Sequence, residues 1–161
     1  MMGYDEEINR MIAARIAGGT AMTVKVAIDD NGFTPLREHL EDAGLDLRTP
    51  IGFVIEPNTA VVIDTKVHIE VPYGFAGLLV SKSGLNVKNG ITSTGLIDPG
   101  YTGSICVKLY NHGKEAYEFK AGDKISQLVF ISMITPSLQL VKPSDFENSE
   151  RGSNGFGSTG R

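Results

Sequence analysis

Short runs in which apolar and polar residues alternate constrain the fold of this chain more than any other feature of its sequence. The alternation is clearest at residues 67–71 and 105–109, where every second side chain is apolar. A period of two puts apolar side chains on one face of an extended strand, whereas a helix needs a period of about 3.6. The pattern therefore predicts several half-buried β-strands.

Turn-forming residues separate the apolar runs at short intervals. Gly, Pro, Asn and Asp recur at residues 56–58, 71–74, 98–100, 111–113 and 121–123. This spacing is typical of an antiparallel sandwich or barrel. A chain of 161 residues can bury one substantial core but not two ordinary ones. We therefore expect one all-β domain over residues 22–143, with the fold of a jelly-roll-like β-barrel.

Both ends of the chain are predicted to lie outside this domain. Residues 1–21 form an N-terminal extension, in which Ile8, Met11, Ile12 and Ile16 follow one helical stripe. A short helix that makes a subunit contact is predicted there, and an extended start or a loosely held arm is at least as good an interpretation. Residues 144–161 are polar and rich in Gly and Ser, which indicates a flexible C-terminal tail.

The charge and the cysteine content narrow the class of function. A formal net charge of −4 does not provide the excess of positive charge that indicates binding to nucleic acid or to an anionic membrane surface. No apolar run approaches the roughly 20 residues that span a bilayer. The single cysteine, Cys106, permits no intrachain disulfide, which favours a reducing compartment such as the cytoplasm. We expect a cytoplasmic protein that binds neither nucleic acid nor membranes.

The polar segment at residues 95–103 carries the strongest local signal. Asp98, Pro99 and Gly100 suit a type II turn, because Pro fixes φ and Gly accepts a positive φ. Asp98 and Tyr101 would then stand at the two ends of a hairpin tip. Asp98 is either a catalytic carboxylate or a residue that caps the turn through its own side chain.

Two further segments combine cations, hydroxyls and glycines. Residues 81–85, Ser-Lys-Ser-Gly-Leu, follow an apolar run and form either a phosphate cradle or an ordinary polar turn. Residues 155–160 spell the dinucleotide fingerprint G-x-G-x-x-G, but only Arg161 follows them, so the helix that a Rossmann site requires is missing. This tail could close over a nucleotide or be a passive terminus.

The remaining titratable candidates favour ordinary structural roles. His39, His68 and His112 lack the spacing of metal ligands, and Cys106 lies in a predicted strand. We therefore predict no structural metal bound directly by the protein.

Five segments, in this order, resemble the five motifs of the trimeric dUTPase family. They are residues 42–47, 81–85, 95–101, 122–128 and 151–160. The resemblance implies a jelly-roll subunit, a homotrimer and active sites that combine motifs from more than one subunit. It also implies hydrolysis of dUTP to dUMP and pyrophosphate with Mg²⁺, which keeps dUTP low and supplies dUMP for dTMP synthesis.

The resemblance assigns roles to the residues of the hairpin. Asp98 resembles the general base that orients water toward the α-phosphorus, and a carboxylate suits that task at neutral pH. Tyr101 resembles the ring beneath the deoxyribose, which excludes a 2′-hydroxyl. Uracil would be read largely by the backbone around Leu96, Ile97 and Cys106.

The resemblance assigns the phosphates and the metal to other motifs. Asp46 resembles the acid that supports the water shell of an Mg²⁺ ion carried by the triphosphate, which fits the preference of Mg²⁺ for water and substrate oxygens. Phe156 would stack on uracil and Arg151 would hold the γ-phosphate. The other phosphate-contacting positions are Lys82, Ser83, Gly84, Gln127, Gly157, Ser158 and Thr159.

Two positions depart from the family pattern, and two alternatives stay open. Lys82 stands where arginine is usual, so a planar fork becomes a point charge, and Asn154 stands where glycine is usual. The first alternative is a dCTP deaminase of the same fold, but Lys108 stands where that branch carries its catalytic glutamate. The second is a non-catalytic or regulatory module that binds a protein partner.

Overall fold

The computed structural model describes residues 23–39, 41–146 and 152, and every structural statement below refers to these residues. They form ten β-strands, one α-helix and one short 3-10 helix. The elements are β1 Val26–Ile28, β2 Leu45–Arg48, β3 Phe53–Ile55, β4 Ala60–Asp64, β5 Val67–Ile69, β6 Phe75–Val80, α1 Ser83–Asn89, β7 Ile91–Ile97, β8 Cys106–Asn111, β9 Tyr117–Phe119, β10 Lys124–Ser132 and the 3-10 helix Pro143–Asp145. The predicted N-terminal helix lies outside the described residues, as does most of the predicted tail.

The strands form one large curled sheet and two small ones. The large sheet has the order β2-β10-β6-β7-β8-β4, and β1-β5 and β3-β9 form two-stranded sheets. Every pair is antiparallel. The prediction of an all-β, jelly-roll-like fold is confirmed.

The core lies inside this curled sheet, and the alternation seen in the sequence explains how it forms. In β8, Val107 and Leu109 are fully buried, whereas the alternate residues Cys106 and Lys108 are exposed. Burying each such aliphatic side chain stabilises the fold by about 1.5–3 kcal/mol. The core residues are Leu47, Ile55, Ile63, Val67, Ile69, Leu79, Ile91, Ile105, Val107, Leu109, Phe119, Ile125 and Leu128.

Strand β7 changes partner along its length, and this opens the β7–β8 hairpin. Residues 91–93 pair with β8, from Ile91 opposite Asn111 to Ser93 opposite Leu109. Residues 94–97 pair instead with β6, while the first residues of β8 pair with β4. The two strands of the hairpin therefore separate toward its tip at residues 98–105. We call the gap between residues 94–97 and 105–108 the hairpin mouth.

Helix α1 was not predicted from the sequence. The apolar run before it ends at Val80 as expected, but a helix of 7 residues begins at Ser83 where a loop was expected. No residue of α1 is buried, so the helix leaves no apolar period in the sequence. It ends at Gly90, whose φ of 68° suits glycine and whose N–H donates to the Asn86 carbonyl.

Candidate active site

The hairpin tip has the turn that the sequence predicted. The Tyr101 N–H donates to the Asp98 carbonyl at 3.3 Å, and Gly100 has a φ of 86°, as position three of a type II turn requires. The Asp98 side chain is exposed, and its carboxylate accepts no hydrogen bond from any described residue. The turn is therefore closed by the backbone and glycine, and the carboxylate is open to solvent.

The hydroxyl end of the Tyr101 ring packs against the loop that follows it. Its hydroxyl donates to the Ser104 carbonyl at 3.0 Å, and its ring covers Gly103 so closely that a Cβ at that position would collide with it. The ring nevertheless stays 45% exposed. One side of the ring therefore packs on backbone, and the remainder is available to a ligand.

The three residues predicted to read a base line the hairpin mouth. Leu96 is 59% exposed, Ile97 is half-buried and Cys106 is exposed. The ladder that joins β7 to β8 stops before this region. A planar ring with donors and acceptors on its edge could bind here in the place of a strand.

A second cluster, remote from the tip in sequence, is centred on a buried carboxylate. Asp46 in β2 is only 4% exposed. Its Oδ1 accepts a hydrogen bond from Lys82 Nζ, and its Oδ2 lies 2.9 Å from Lys124 Nζ. Lys124 Nζ also donates to Glu38 Oε2 at 2.6 Å. We call these four residues the ammonium cluster.

Electrostatics explains why Asp46 remains ionised despite its burial. Burial by itself raises the pKa of this carboxyl, but the hydrogen bonds from Lys82 and Lys124 outweigh it and hold the pKa below its usual range. The same contacts with Glu38 and Asp46 raise the pKa of the Lys124 ammonium. The cluster therefore holds two lysine ammonium groups in fixed positions at one end of the sheet, each paired with a carboxylate.

The other predicted phosphate-binding residues lie beside this cluster along the chain. Gln127 in β10 donates through Nε2 to the Ser81 carbonyl at 3.1 Å, which ties β10 to the segment that carries Lys82. Ser83 and Gly84 form the exposed start of α1, and a Cβ at Gly84 would meet nothing within 4 Å. The backbone there is open to a ligand.

The structure therefore divides the predicted site into two groups. Leu96, Ile97, Asp98, Tyr101 and Cys106 share the hairpin, whereas Asp46, Lys82, Ser83, Gly84 and Gln127 lie around the end of β6. The remaining predicted contacts, Arg151, Phe156, Gly157, Ser158 and Thr159, lie outside the described residues.

The two groups are at opposite ends of one strand pair. In the β6–β7 ladder, Gly77 is opposite Ile97 and Val80 is opposite Thr94. The chain leaves β6 at Val80 toward Lys82, and it leaves β7 at Ile97 toward Asp98. At about 3.3 Å of rise per residue, Asp98 and Lys82 are on the order of 20 Å apart along the ladder.

Sequence reasoning missed two contributors to the site. Lys124 was recognised only as part of a motif, and Glu38 was not singled out. Lys124 follows the turn signal at residues 121–123 and begins the apolar run of β10, so its position at a strand end could be predicted from the sequence. Its pairing with Glu38, 86 positions earlier, could not be predicted, because it depends on the tertiary fold.

The fold and the two groups define a class of protein: an all-β protein with an exposed carboxylate on a hairpin tip and lysine ammonium groups fixed near the end of a strand pair. The dUTPase family model matches residues 30–160 of this chain. The chain belongs to the dUTPase family.

Individual relatives agree with this assignment. A deoxyuridine 5'-triphosphate nucleotidohydrolase of Mus musculus is 38% identical over 149 residues, which cover 92% of this chain and 90% of the relative. Its namesake from Yarrowia lipolytica is 37% identical over 141 residues, with coverages of 86% and 90%. A mutant dUTPase of Staphylococcus bacteriophage 80alpha, solved with dUpNHpp, has a TM-score of 0.79 and 32% identity, covering 86% of this chain and 99% of that chain.

Proposed function

We propose that this chain hydrolyses dUTP to dUMP and pyrophosphate through water attack on the α-phosphorus. Membership of the dUTPase family supports the reaction, as does the resemblance to nucleotidohydrolases of deoxyuridine 5'-triphosphate. The observation that carries the mechanism is the Asp98 carboxylate, which is exposed and accepts no hydrogen bond from the described chain. A carboxylate in this state can accept the proton of an attacking water.

The hairpin mouth supplies the specificity for the nucleoside. Uracil would bind between β7 and β8 at Leu96, Ile97 and Cys106, where backbone groups can read its edge. The exposed part of the Tyr101 ring would support the deoxyribose, and a 2′-hydroxyl would collide with it. Binding in the mouth brings the α-phosphate to the tip, where Asp98 lies.

The ammonium cluster acts on the phosphates. Lys82 and the backbone of Ser83 and Gly84 would bind the triphosphate, and Asp46 would keep Lys82 in position. Stabilising the charge of the leaving pyrophosphate by fixed donors lowers the barrier without reorganisation during the reaction. Arg151, Phe156, Gly157, Ser158 and Thr159, which the sequence assigns to the same substrate, would complete the enclosure.

Each active site combines two copies of the chain. Ser83 would contact the bridging oxygen next to the α-phosphorus, and Asp98 would orient water at that same phosphorus. Both must then lie within hydrogen-bonding reach of one phosphoryl group, yet within one chain they flank the β6–β7 ladder at opposite ends. The hairpin of one copy therefore meets the ammonium cluster of another, and the homotrimer implied by the family resemblance provides that arrangement.

The residues present suit an Mg²⁺ ion that arrives with the triphosphate. Each Asp46 oxygen accepts one lysine ammonium and keeps lone-pair capacity for a metal-bound water. The described residues contain no group of three or more His, Cys, Asp or Glu that could hold a metal directly. When bound, Mg²⁺ would neutralise charge on the phosphate oxygens. A structure of the dUTPase of phage phi11 of S. aureus, with a TM-score of 0.70 and 31% identity, describes the coordination of a structural Mg(II) ion.

Deamination has no supporting feature at the corresponding position. Lys108 is exposed on β8, and its ammonium lies 5.0 Å from the centroid of the Tyr110 ring. A cation that packs on a neighbouring aromatic ring cannot replace a carboxylate that shuttles protons at a cytosine.

We also propose that the protein acts in the cytoplasm, because its single cysteine favours a reducing compartment. Within the described ranges, no helix is long and apolar enough to cross a membrane.

A substrate panel tests the proposal. Pyrophosphate and ammonia release would be measured with dUTP, dCTP, dTTP and UTP in the presence of Mg²⁺. We expect pyrophosphate from dUTP and little product from the other three. Ammonia release from dCTP would indicate the deaminase, and comparable rates for UTP and dUTP would contradict the role of Tyr101.

A further inference from the structure

The loop that carries the tip, residues 98–105, rests on residues 64–68, which we call the anchoring turn. Four hydrogen bonds hold the base of the loop. Ser104 Oγ donates to Asp64 Oδ1, Thr65 Oγ1 and Thr65 N donate to the Ile105 carbonyl at 2.7 and 3.1 Å, and Ile105 N donates to the Val67 carbonyl at 2.8 Å. These contacts fix where the loop returns to β8. They leave the segment nearer the tip to be held by another group.

His68 reaches that segment. Its Nδ1 lies 2.8 Å from the carbonyl oxygen of Thr102, the residue that follows Tyr101. Its Nε2 lies 3.2 Å from Asp29 Oδ2, in the turn after β1. Among the described residues, His68 is the side chain that bonds to the Thr102 carbonyl. One imidazole therefore joins the tip loop to a different sheet.

Both groups that face the His68 ring are hydrogen-bond acceptors. A carbonyl oxygen and a carboxylate oxygen can only accept, so both ring nitrogens must donate for both contacts to form. An imidazolium has two N–H groups, whereas a neutral imidazole has one. The geometry therefore fits the protonated ring, and the neutral ring must give up one of the two contacts.

The charges around His68 favour its protonated form. Its bond to the Thr102 carbonyl, followed by its bond to Asp29, raises the pKa of the imidazole above its ordinary value, and the nearby Asp64 carboxylate acts in the same direction. Lys66 is the neighbouring cation, and its Nζ pairs with Asp64 Oδ2 at 2.8 Å. Just after the end of β5, Glu70 pairs with Lys25 at 2.9 Å.

We propose that protonated His68 is a positioning residue for dUTP hydrolysis, because its bond to Thr102 holds Tyr101 and Asp98 in place. This inference rests on the proposed function. Since the pKa of His68 is raised on folding, both bonds of the ring form below the unfolded value of about 6.5. One of the two is lost as the pH rises through the folded value, which breaks the link from Asp29 to the Thr102 carbonyl. The tip should therefore loosen as the pH rises through the folded pKa of His68.

The first test needs no activity. NMR titration of the full chain should show a pKa for His68 above 6.5 and a coincident change in the amide signals of residues 101–103. Asp29→Asn keeps an acceptor but removes the charge, so it should move both transitions to lower pH. A His68 pKa at or below the ordinary value, or amide signals that do not follow it, would overturn the proposal.

The second test compares kcat/KM for dUTP across pH in the wild type and in His68→Gln. Gln does not titrate, and the ionisation of the substrate cancels in the ratio of the two enzymes. We expect the wild type to be about fivefold more active near pH 6, the factor for one ordinary hydrogen bond. The ratio should fall toward one at high pH.

His112→Gln is the matched control. His112 contacts Thr92 Oγ1 at 3.1 Å and stacks on Tyr110, at the far end of the same hairpin. The ratio of kcat/KM for dUTP between the wild type and His112→Gln should not change with pH. A constant ratio for His68→Gln would overturn the positioning role, whereas absence of dUTP hydrolysis by the wild type would refute the proposed function and leave the NMR test of the contact intact.

Discussion

Single carboxylates in this protein differ sharply in their surroundings, and those surroundings assign their roles. Asp46 is buried between two ammonium groups, whereas Asp98 is exposed and accepts no hydrogen bond from the described chain. Two fixed cations keep the first from acting as a base, because they stabilise its ionised form. The second can accept a proton from water. The two residues therefore have separable effects on stability and on turnover.

Asp98→Asn should lower kcat for dUTP by on the order of 10²–10⁴, the usual range for loss of a general base. Folding and dUTP binding should change little, because the turn is closed by the Tyr101 N–H and by Gly100. Stopped-flow pyrophosphate release and calorimetric binding would measure the two effects. The exposed Asp30→Asn serves as the control for charge, and near-normal kcat in a folded Asp98→Asn protein would exclude the base role.

Asp46→Asn should lower the free energy of unfolding by roughly 1–3 kcal/mol at neutral pH, because it leaves two lysines without their shared carboxylate. Because folding lowers the pKa of Asp46, its contribution is present above the ordinary value of 3.8 and is lost as the pH falls below it. Urea unfolding at several pH values would measure this, with Glu118→Gln on the exposed face of β9 as control. The difference from the wild type should narrow in acid, and a difference independent of pH would contradict the assignment.

The elements of the fold show what the sequence could predict and what it could not. Strand positions, the type II turn and the end of β6 follow from local patterns, because each depends on neighbouring residues. Helix α1 has no fully buried residue and packs only Leu85 partly against the core, so it has no apolar period. The change of partner in β7 depends on which strands meet in space, and the Lys124–Glu38 pair joins residues 86 positions apart. Local patterns carry no information on such long-range contacts.

Gly100→Ala tests whether the hairpin tip needs its left-handed glycine. An L-residue at a φ of 86° costs about 1–2 kcal/mol, and relaxation of the turn would move Asp98. Gly74→Ala is a close match, since its φ is 82° and a Cβ at either glycine would meet nothing within 4 Å. Both variants should lose similar stability in thermal unfolding. Only Gly100→Ala should also lower kcat, and equal kcat values in the two variants would show that the tip tolerates the change.

At the scale of the whole molecule, one chain holds the parts of the site too far apart to use them together. The register of β6 and β7 separates Lys82 from Asp98, and both strands are paired along the ladder that sets this distance. A loop movement cannot close such a gap without breaking the sheet. We therefore propose that the catalytic unit is an assembly, in which variants that are inactive alone should still supply complementary parts.

Mixing Asp98→Asn with Lys82→Met subunits tests this arrangement directly. Each variant alone should be nearly inactive, because every site would lack either the proposed base or the proposed phosphate-binding cation. If a site takes Asp98 from one subunit and Lys82 from another, random exchange of equal amounts makes about a quarter of the sites intact. Co-refolding the two variants and measuring dUTP hydrolysis per subunit would detect this recovery. Co-refolded samples of each variant with itself are the controls, and light scattering would verify that the mixed species is a trimer. If both residues came from the same chain, every site would keep one defect and no activity would return.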